Sequence, residues 1–327
     1  MKKFVNAVDN MLRESLTGLA QAHPGLLRVE FEPTFVARSE RKSGKVTLIS
    51  GGGSGHEPLH AGFVGPGMLD AACPGQVFTS PTPDQMLAAA QAQHGGRGVL
   101  FIVKNYSGDT MNFQLASEML ELDNDTVLVN DDVAVENSTY TTGRRGVAGT
   151  LMVEKAVGAA AEAGADLSEC KDVGDRVNKA TASMGVAFTS CTVPAAGRPT
   201  FDIGPGEVEM GVGIHGEPGR RREKFRPADA LVKDLMDAIL ADLKAARGRE
   251  VLLHVNGFGG TPLMELYLLF NRAAERLKDE GLEIARSLVG NYTTSLEMAG
   301  ASLTLTLLDD EIKSLWDAPV RTAALRW

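Results

Sequence analysis

The stretch KVTLISGGGSGHEP, residues 45–58, decides how this chain is read. Residues 45–50 are short, apolar and β-prone, as a buried strand requires. Residues 51–58 then bring four glycines, a serine, a histidine and a proline. A turn needs one or two glycines, so this density at a strand's end indicates a small ligand approaching the main chain. The carboxyl edge of an α/β sheet is where such loops sit, and their amides suit hydroxyl or phosphate oxygens. A second cluster, Gly213 to Gly219, encloses His215 in the same way that the first ends on His56. The two read as halves of one active site.

Working outward, apolar residues at helical spacing (Val5, Val8, Leu12, Leu16, Leu19), closed by His23, Pro24 and Gly25, predict an opening amphipathic helix. Strand-like runs at 45–50, 98–103 and 126–130 alternate with helical ones at 85–93, 111–122 and 150–163. The pattern resumes with strands at 185–191, 208–213 and 251–255, helices at 228–246 and 263–276, a strand pair at 284–292 and 302–308, and a last turn at 311–316. Such alternation predicts an α/β class built as two α/β domains, each a mixed sheet flanked by helices. The boundary falls near residue 182, giving domains 1–182 and 183–327.

Net charge is −9, which argues against a general nucleic-acid or anionic-membrane surface. Cys73, Cys170 and Cys191 are widely separated, so neither a disulfide framework nor a thiolate metal site is expected. Met1, Lys2 and Lys3 open like a signal peptide, but Asp9, Arg13 and Glu14 interrupt the run, and a cytoplasmic location is expected.

Three motifs fail on context. His56 to His60 spells HExxH, but a glycine run precedes it and Pro58 lies inside it, so no helix can present two imidazoles to zinc and no metal is expected. Gly211, Gly213 and Gly216 fit GxGxxG, but no helix follows to meet a pyrophosphate, and no Walker run occurs. The chain is therefore expected to carry no nucleotide cofactor. Arg220, Arg221 and Arg222 read as a solvated loop, and Asp131 and Asp132 as structural. Lys104 and Asp109, at the exit of the strand ending at 103, are candidate ligand contacts, with Asp109 also placed to cap a helix starting near Thr110. The groups 256–262 and 291–295 read as loops shaping a site or an interface.

The strings GGGSGHEPLHAGFVGPGMLDAACPGQVFTSPTPDQM, NYSGDTMNF, NDDVAV, GRRGVAGT, TSCTVPAAGRP, GVGIHGEPG and LWDAPV together resemble the substrate-binding K subunit of dihydroxyacetone kinases, nearly end to end. The resemblance implies that His215 forms a covalent hemiaminal with the carbonyl carbon of dihydroxyacetone. It implies His56 and Asp109 as acid and base, and Gly53, Ser54, Gly55, His56 and Lys104 as substrate contacts. It also implies a homodimer and a separate L-type subunit carrying magnesium and ADP or ATP, recharged by an M-type phosphotransferase-system protein or exchanging ATP directly. Alternatives within the resemblance are a non-catalytic ketose-sensing coactivator and a kinase subunit for a four-carbon ketose such as erythrulose. The connection at 247–251 is shorter than in some members, which bears on assembly.

Overall fold

Strand β5 (Val99–Lys104), buried along its whole length, shows how the first half is layered in a computed structural model that describes residues 2–136, 138 and 141–327. The Met1 of the signal-like opening lies outside the described residues. Leu100 and Ile102 face one core, beneath α4 (Gly149–Ala163) and α5 (Leu167–Lys179). Val99, Phe101 and Val103 face another, beneath α2 (Pro83–Gln93) and α3 (Ser107–Met119). A strand covered on both faces is apolar without alternation, which is why 98–103 is so plain in the sequence.

The first sheet runs β1 (Leu27–Phe31), β2 (Thr34–Arg38), β4 (Ala71–Val77), β3 (Thr47–Ser54), β5, β6 (Asn124–Val129). Its last four strands are parallel, and the β1–β2 hairpin adds antiparallel to β4. The second sheet runs β11 (Glu283–Gly290), β10 (Glu250–Gly257), β12 (Gly300–Leu307), β7 (Thr181–Ala187), β8 (Glu207–Met210), β9 (Arg221–Lys224). Only β10 and β11 pair in parallel there. Helices α6 (Ala228–Leu243) and α7 (Leu263–Asp279) pack on this sheet. Two mixed sheets with flanking helices are the α/β class expected from the sequence.

Helix α4 touches β3, β5 and β6 of one sheet and β7 and β12 of the other. Thirteen of its fifteen residues are buried, so its alanines and glycines let both sheets approach. After the second sheet, α8 (Asp310–Asp317) and the following tail return to the first core, where Trp316, Val320 and Leu325 are buried. No helix among the described residues is long and apolar enough to cross a membrane.

Several local expectations are corrected. The opening helix, α1 (Met11–Ala22), starts at Met11 rather than near Val5. Residues 221–224 form strand β9 instead of a loop; an edge strand carries charge on both faces because its rim is in water, and Arg222 pairs with Glu209 of β8 at 3.2 Å. Strands β11 and β12 do not pair; β10 lies between them, parallel to β11 and antiparallel to β12. Strands β1, β2 and β4 and helix α5 went unanticipated. Helix α5 was the most legible of these, since Asp166 and Glu169 form a capping box at its start.

Candidate active site

The glycines at 51–53 lie in strand β3 rather than in a loop after it, opposite Cys73, Pro74 and Gly75 of β4. Backbone pairing continues because, without Cβ atoms, neighbouring groups can close over the strand. At Gly52 the need is plain: a Cβ there would lie 2.2 Å from Lys104 Nζ. Lys104 ends β5 and is wholly buried, with Nζ 3.3 Å from Asp109 Oδ2.

Asp109 is not a cap. Helix α3 begins at Ser107, so Asp109 sits inside its first turn, with Oδ2 on Lys104 and Oδ1 buried without a partner. Asp109 lines a cavity of about 640 Å³ together with Gly53, Phe78, Tyr106 and His215.

His215, on this wall, meets His56, 159 positions away in sequence, with ring centroids 4.7 Å apart and nearly perpendicular. Phe78 stacks on His56 at 5.0 Å, and Tyr106 meets the His215 ring edge-on at 4.5 Å. His56 Nδ1 donates to Thr294 O at 2.8 Å, and its Nε2 is buried without a partner. Burial, reinforced by His215 and Lys104, holds the pKa of His56 well below 6.5. It is thus a neutral imidazole whose Nε2 lone pair has no partner among the described residues.

The loop 291–295 earns its place through this bond. Asn256, at the end of β10, accepts from the Tyr292 and Thr293 amides at 3.0 and 2.8 Å and donates to Thr293 O at 2.7 Å. Leu296 N donates to Gly55 O at 2.8 Å. The second half of the chain therefore fixes His56 of the first.

His215 is held differently. Its amide donates to Glu217 Oε2 at 2.9 Å, while its Nδ1 lies 3.8 Å from Glu217 Oε1, a charge contact too long for a hydrogen bond. Burial alone would raise the Glu217 carboxyl, but His215 and Arg145 together hold it down at about 2. Arg145, wholly buried, donates through Nε to Asp132 Oδ2 at 2.7 Å and through Nη2 to Gly211 O at 2.7 Å. Asp131 accepts from the Val147 and Gly149 amides at the start of α4, so both aspartates are structural, as expected.

The structure brings Gly53, His56, Lys104, Asp109 and His215 together. Ser54 and Gly55 point elsewhere: the Ser54 hydroxyl donates to Gly75 O at 2.7 Å, and the Gly55 amide donates to the Glu57 carboxylate at 2.9 Å. The HExxH segment is a series of turns, so His56 and His60 share no helix face. After Gly216 the chain turns into β9, and no helix opens on the GxGxxG string. Sequence reading missed Phe78, Tyr106, Glu217 and Arg145. All four stand inside strings already singled out, but none carried a separate signal there.

Residues 17–324 match the family model described as the Dak1 domain. The chain is 47% identical over 355 residues to the dihydroxyacetone-binding subunit DhaK of the PEP-dependent dihydroxyacetone kinase of Escherichia coli K12, covering 100% of this chain and 99% of that one. It is 50% identical over 314 residues to the corresponding subunit of PTS-dependent dihydroxyacetone kinase 1 of Listeria innocua, covering 95% of each. Among solved structures, the dihydroxyacetone kinase operon co-activator Dha-DhaQ superposes with a TM-score of 0.89 at 34% identity, covering 95% of this chain and 96% of that one.

Proposed function

The chain belongs to the Dak1 family and is a subunit of a kinase; from that premise we propose that it binds dihydroxyacetone covalently on His215 and offers the terminal hydroxyl to a phosphoryl donor on another subunit. The lone pair of a His215 ring nitrogen forms the C–N bond, and the carbonyl π pair moves to oxygen, which takes up a proton from water. The positive charge left on the ring is met by the Glu217 carboxylate, which Arg145 keeps ionised. Nδ1 lies on the Glu217 side, which leaves Nε2 as the nucleophile. Glycerol lacks a carbonyl and is rejected by chemistry, where hydrogen bonds alone discriminate poorly between small polyols.

The observation that carries this reading is a pair of unpartnered buried atoms: Asp109 Oδ1, on a residue that lines the cavity, and His56 Nε2, whose ring packs on Phe78 and His215 of the same cavity. Buried polar atoms are normally satisfied, so two so placed mark where a polar ligand belongs. Both His56 Nε2 and Asp109 Oδ1 are acceptors for hydroxyl hydrogens, and Asp109 takes the proton as the terminal oxygen attacks phosphorus. Covalent anchoring fixes that oxygen in line, and positioning supplies much of the rate in phosphoryl transfer. Magnesium and the nucleotide belong to an L-type partner, charged from the phosphotransferase system or from ATP. The likeness to a co-activator supports a second reading, a ketose sensor. A sensor needs His215 alone, whereas Asp109 and His56 are also built into this site.

Intact-protein mass spectrometry after incubation with dihydroxyacetone tests the assignment. The parent gains one triose adduct and His215→Ala gains none. An undiminished adduct on the variant would overturn the role of His215.

A further inference from the structure

We propose that His60 and Glu154 are positioning residues for phosphorylation: they fix the Lys104 ammonium, and through it the Asp109 carboxylate, from behind the substrate cavity. The inference rests on the reading of Asp109 as proton acceptor. An ammonium has three hydrogens, and Lys104 Nζ has three acceptors: Gly51 O at 3.3 Å, Asp109 Oδ2 at 3.3 Å and His60 Nε2 at 3.0 Å. All three are engaged by protein groups, so Lys104 is held from three sides and in turn holds Asp109.

The protonation of His60 follows from that geometry. Nε2 must accept from Lys104, so the ring proton is on Nδ1, which points at Glu154 Oε1 at 2.6 Å. Ser50 Oγ is 3.0 Å from the same nitrogen, with its own hydrogen donated to Ile102 O at 2.7 Å. Burial, with Lys104 nearby, keeps the His60 pKa well below 6.5, and burial pushes the Glu154 carboxyl up to about 8. In this arrangement Glu154 Oε1 is the acceptor for the His60 ring proton.

The line Asp109, Lys104, His60, Glu154 is buried throughout, and it ends on α4, the helix clasped between the two sheets. Buried polar chains are costly to assemble, and only the Asp109 end faces the cavity. Cutting the far end leaves the His60 Nδ1–H without its carboxyl acceptor and the ring free to turn, which carries Nε2, one of the three Lys104 acceptors, out of place and loosens the hold of Lys104 on Asp109.

The test uses the full chain with a nucleotide-loaded L-type partner. Glu154→Leu removes the acceptor; Glu154→Gln keeps an amide oxygen in its place. The leucine variant loses about 10- to 100-fold in kcat, the order expected for a small misplacement of a reacting group. Its KM for dihydroxyacetone and its adduct on His215 are unchanged, and the glutamine variant restores most of the rate. Parental kcat in Glu154→Leu, equal losses in both variants, or joint loss of kcat, KM and adduct would each overturn the proposal. Asp109→Asn tests the underlying reading separately. If that variant turns over normally the reading falls, and a crystal structure of Glu154→Leu decides the positioning role: Lys104 Nζ displaced from Asp109 sustains it, Lys104 Nζ in place refutes it.

Discussion

The two glycine clusters look alike in sequence and do different work. The first is part of a sheet: β3 continues through its glycines, and the side chain that closes over Gly52 is a lysine locked by three partners. The second is an irregular loop whose conformation comes from ion pairs, since a Cβ on Gly213 would lie 2.1 Å from the Glu217 carboxylate folded beneath it. Correspondingly, His56 hangs from a backbone carbonyl and is 1% exposed, whereas His215 leans on a carboxylate with its side chain 13% exposed. Glycine density therefore marks close approach in both places, but one approach builds a wall within a sheet and the other an arm braced by charge. A wall suits groups that hold hydroxyls, and an arm suits the group that must form and release a bond.

The sharpest way to break this contrast is to add one methyl to each cluster. In Gly52→Ala the methyl displaces a buried ammonium that has nowhere to go. Turnover falls more than about 100-fold, and stability drops by about 3–5 kcal/mol, as when a buried pair is split. In Gly213→Ala the adduct on His215 is lost while the melting temperature falls less, because no sheet pairing runs through that loop. Equal falls in melting temperature for the two variants would end the distinction between wall and arm.

Next in size is the acid limb of stability. Glu217 has a folded pKa of about 2, below its ordinary 4.5. Its ionised form thus contributes stability above about pH 4.5 that is lost as the pH falls towards 2. Glu217→Gln removes that contribution, so its melting temperature is lower at pH 7 and flatter between pH 4.5 and 2 than the parent's. The variant also forms the adduct about tenfold more slowly, the scale of one lost charge-assisted contact. Parallel melting curves for parent and variant would show that the carboxylate does not hold the arm.

The smallest effect is expected at Thr294→Val. Its hydroxyl donates to Glu57 O at 3.0 Å, but the bond to His56 uses the main-chain carbonyl, which valine keeps. A loss of about 1 kcal/mol in stability with near-parental turnover follows. A large loss of turnover would show the wall to be softer than its packing indicates.

Legibility from sequence followed burial pattern and spacing. Strand β5 and helices α2, α4, α6 and α7 were readable because each carries enough periodic or continuous apolar residues to betray its partner surface. Strand β4 was hidden by Pro74 and Gly75, and β9 by its run of charge. The start of α3 was misplaced because Asp109, a good capping residue by type, is used here to pair with Lys104. Glu154 looked like one polar residue on an apolar helix, and His60 like half of an accidental motif. Neither carries a local mark of the lysine that joins them.

By itself the sequence determined the α/β class, the order of most elements and the residue types of the chemistry, because hydrophobic period and glycine placement are local properties of the chain. It also set His56, Lys104, Asp109 and His215 apart. Tertiary structure alone decided that these groups converge, that Lys104 spends all its hydrogens on protein acceptors, and that Ser54 and Gly55 turn away. The reason is range: a hydrogen bond between positions 56 and 294, or 60 and 154, depends on how two sheets close around α4, and no short window of sequence contains both ends.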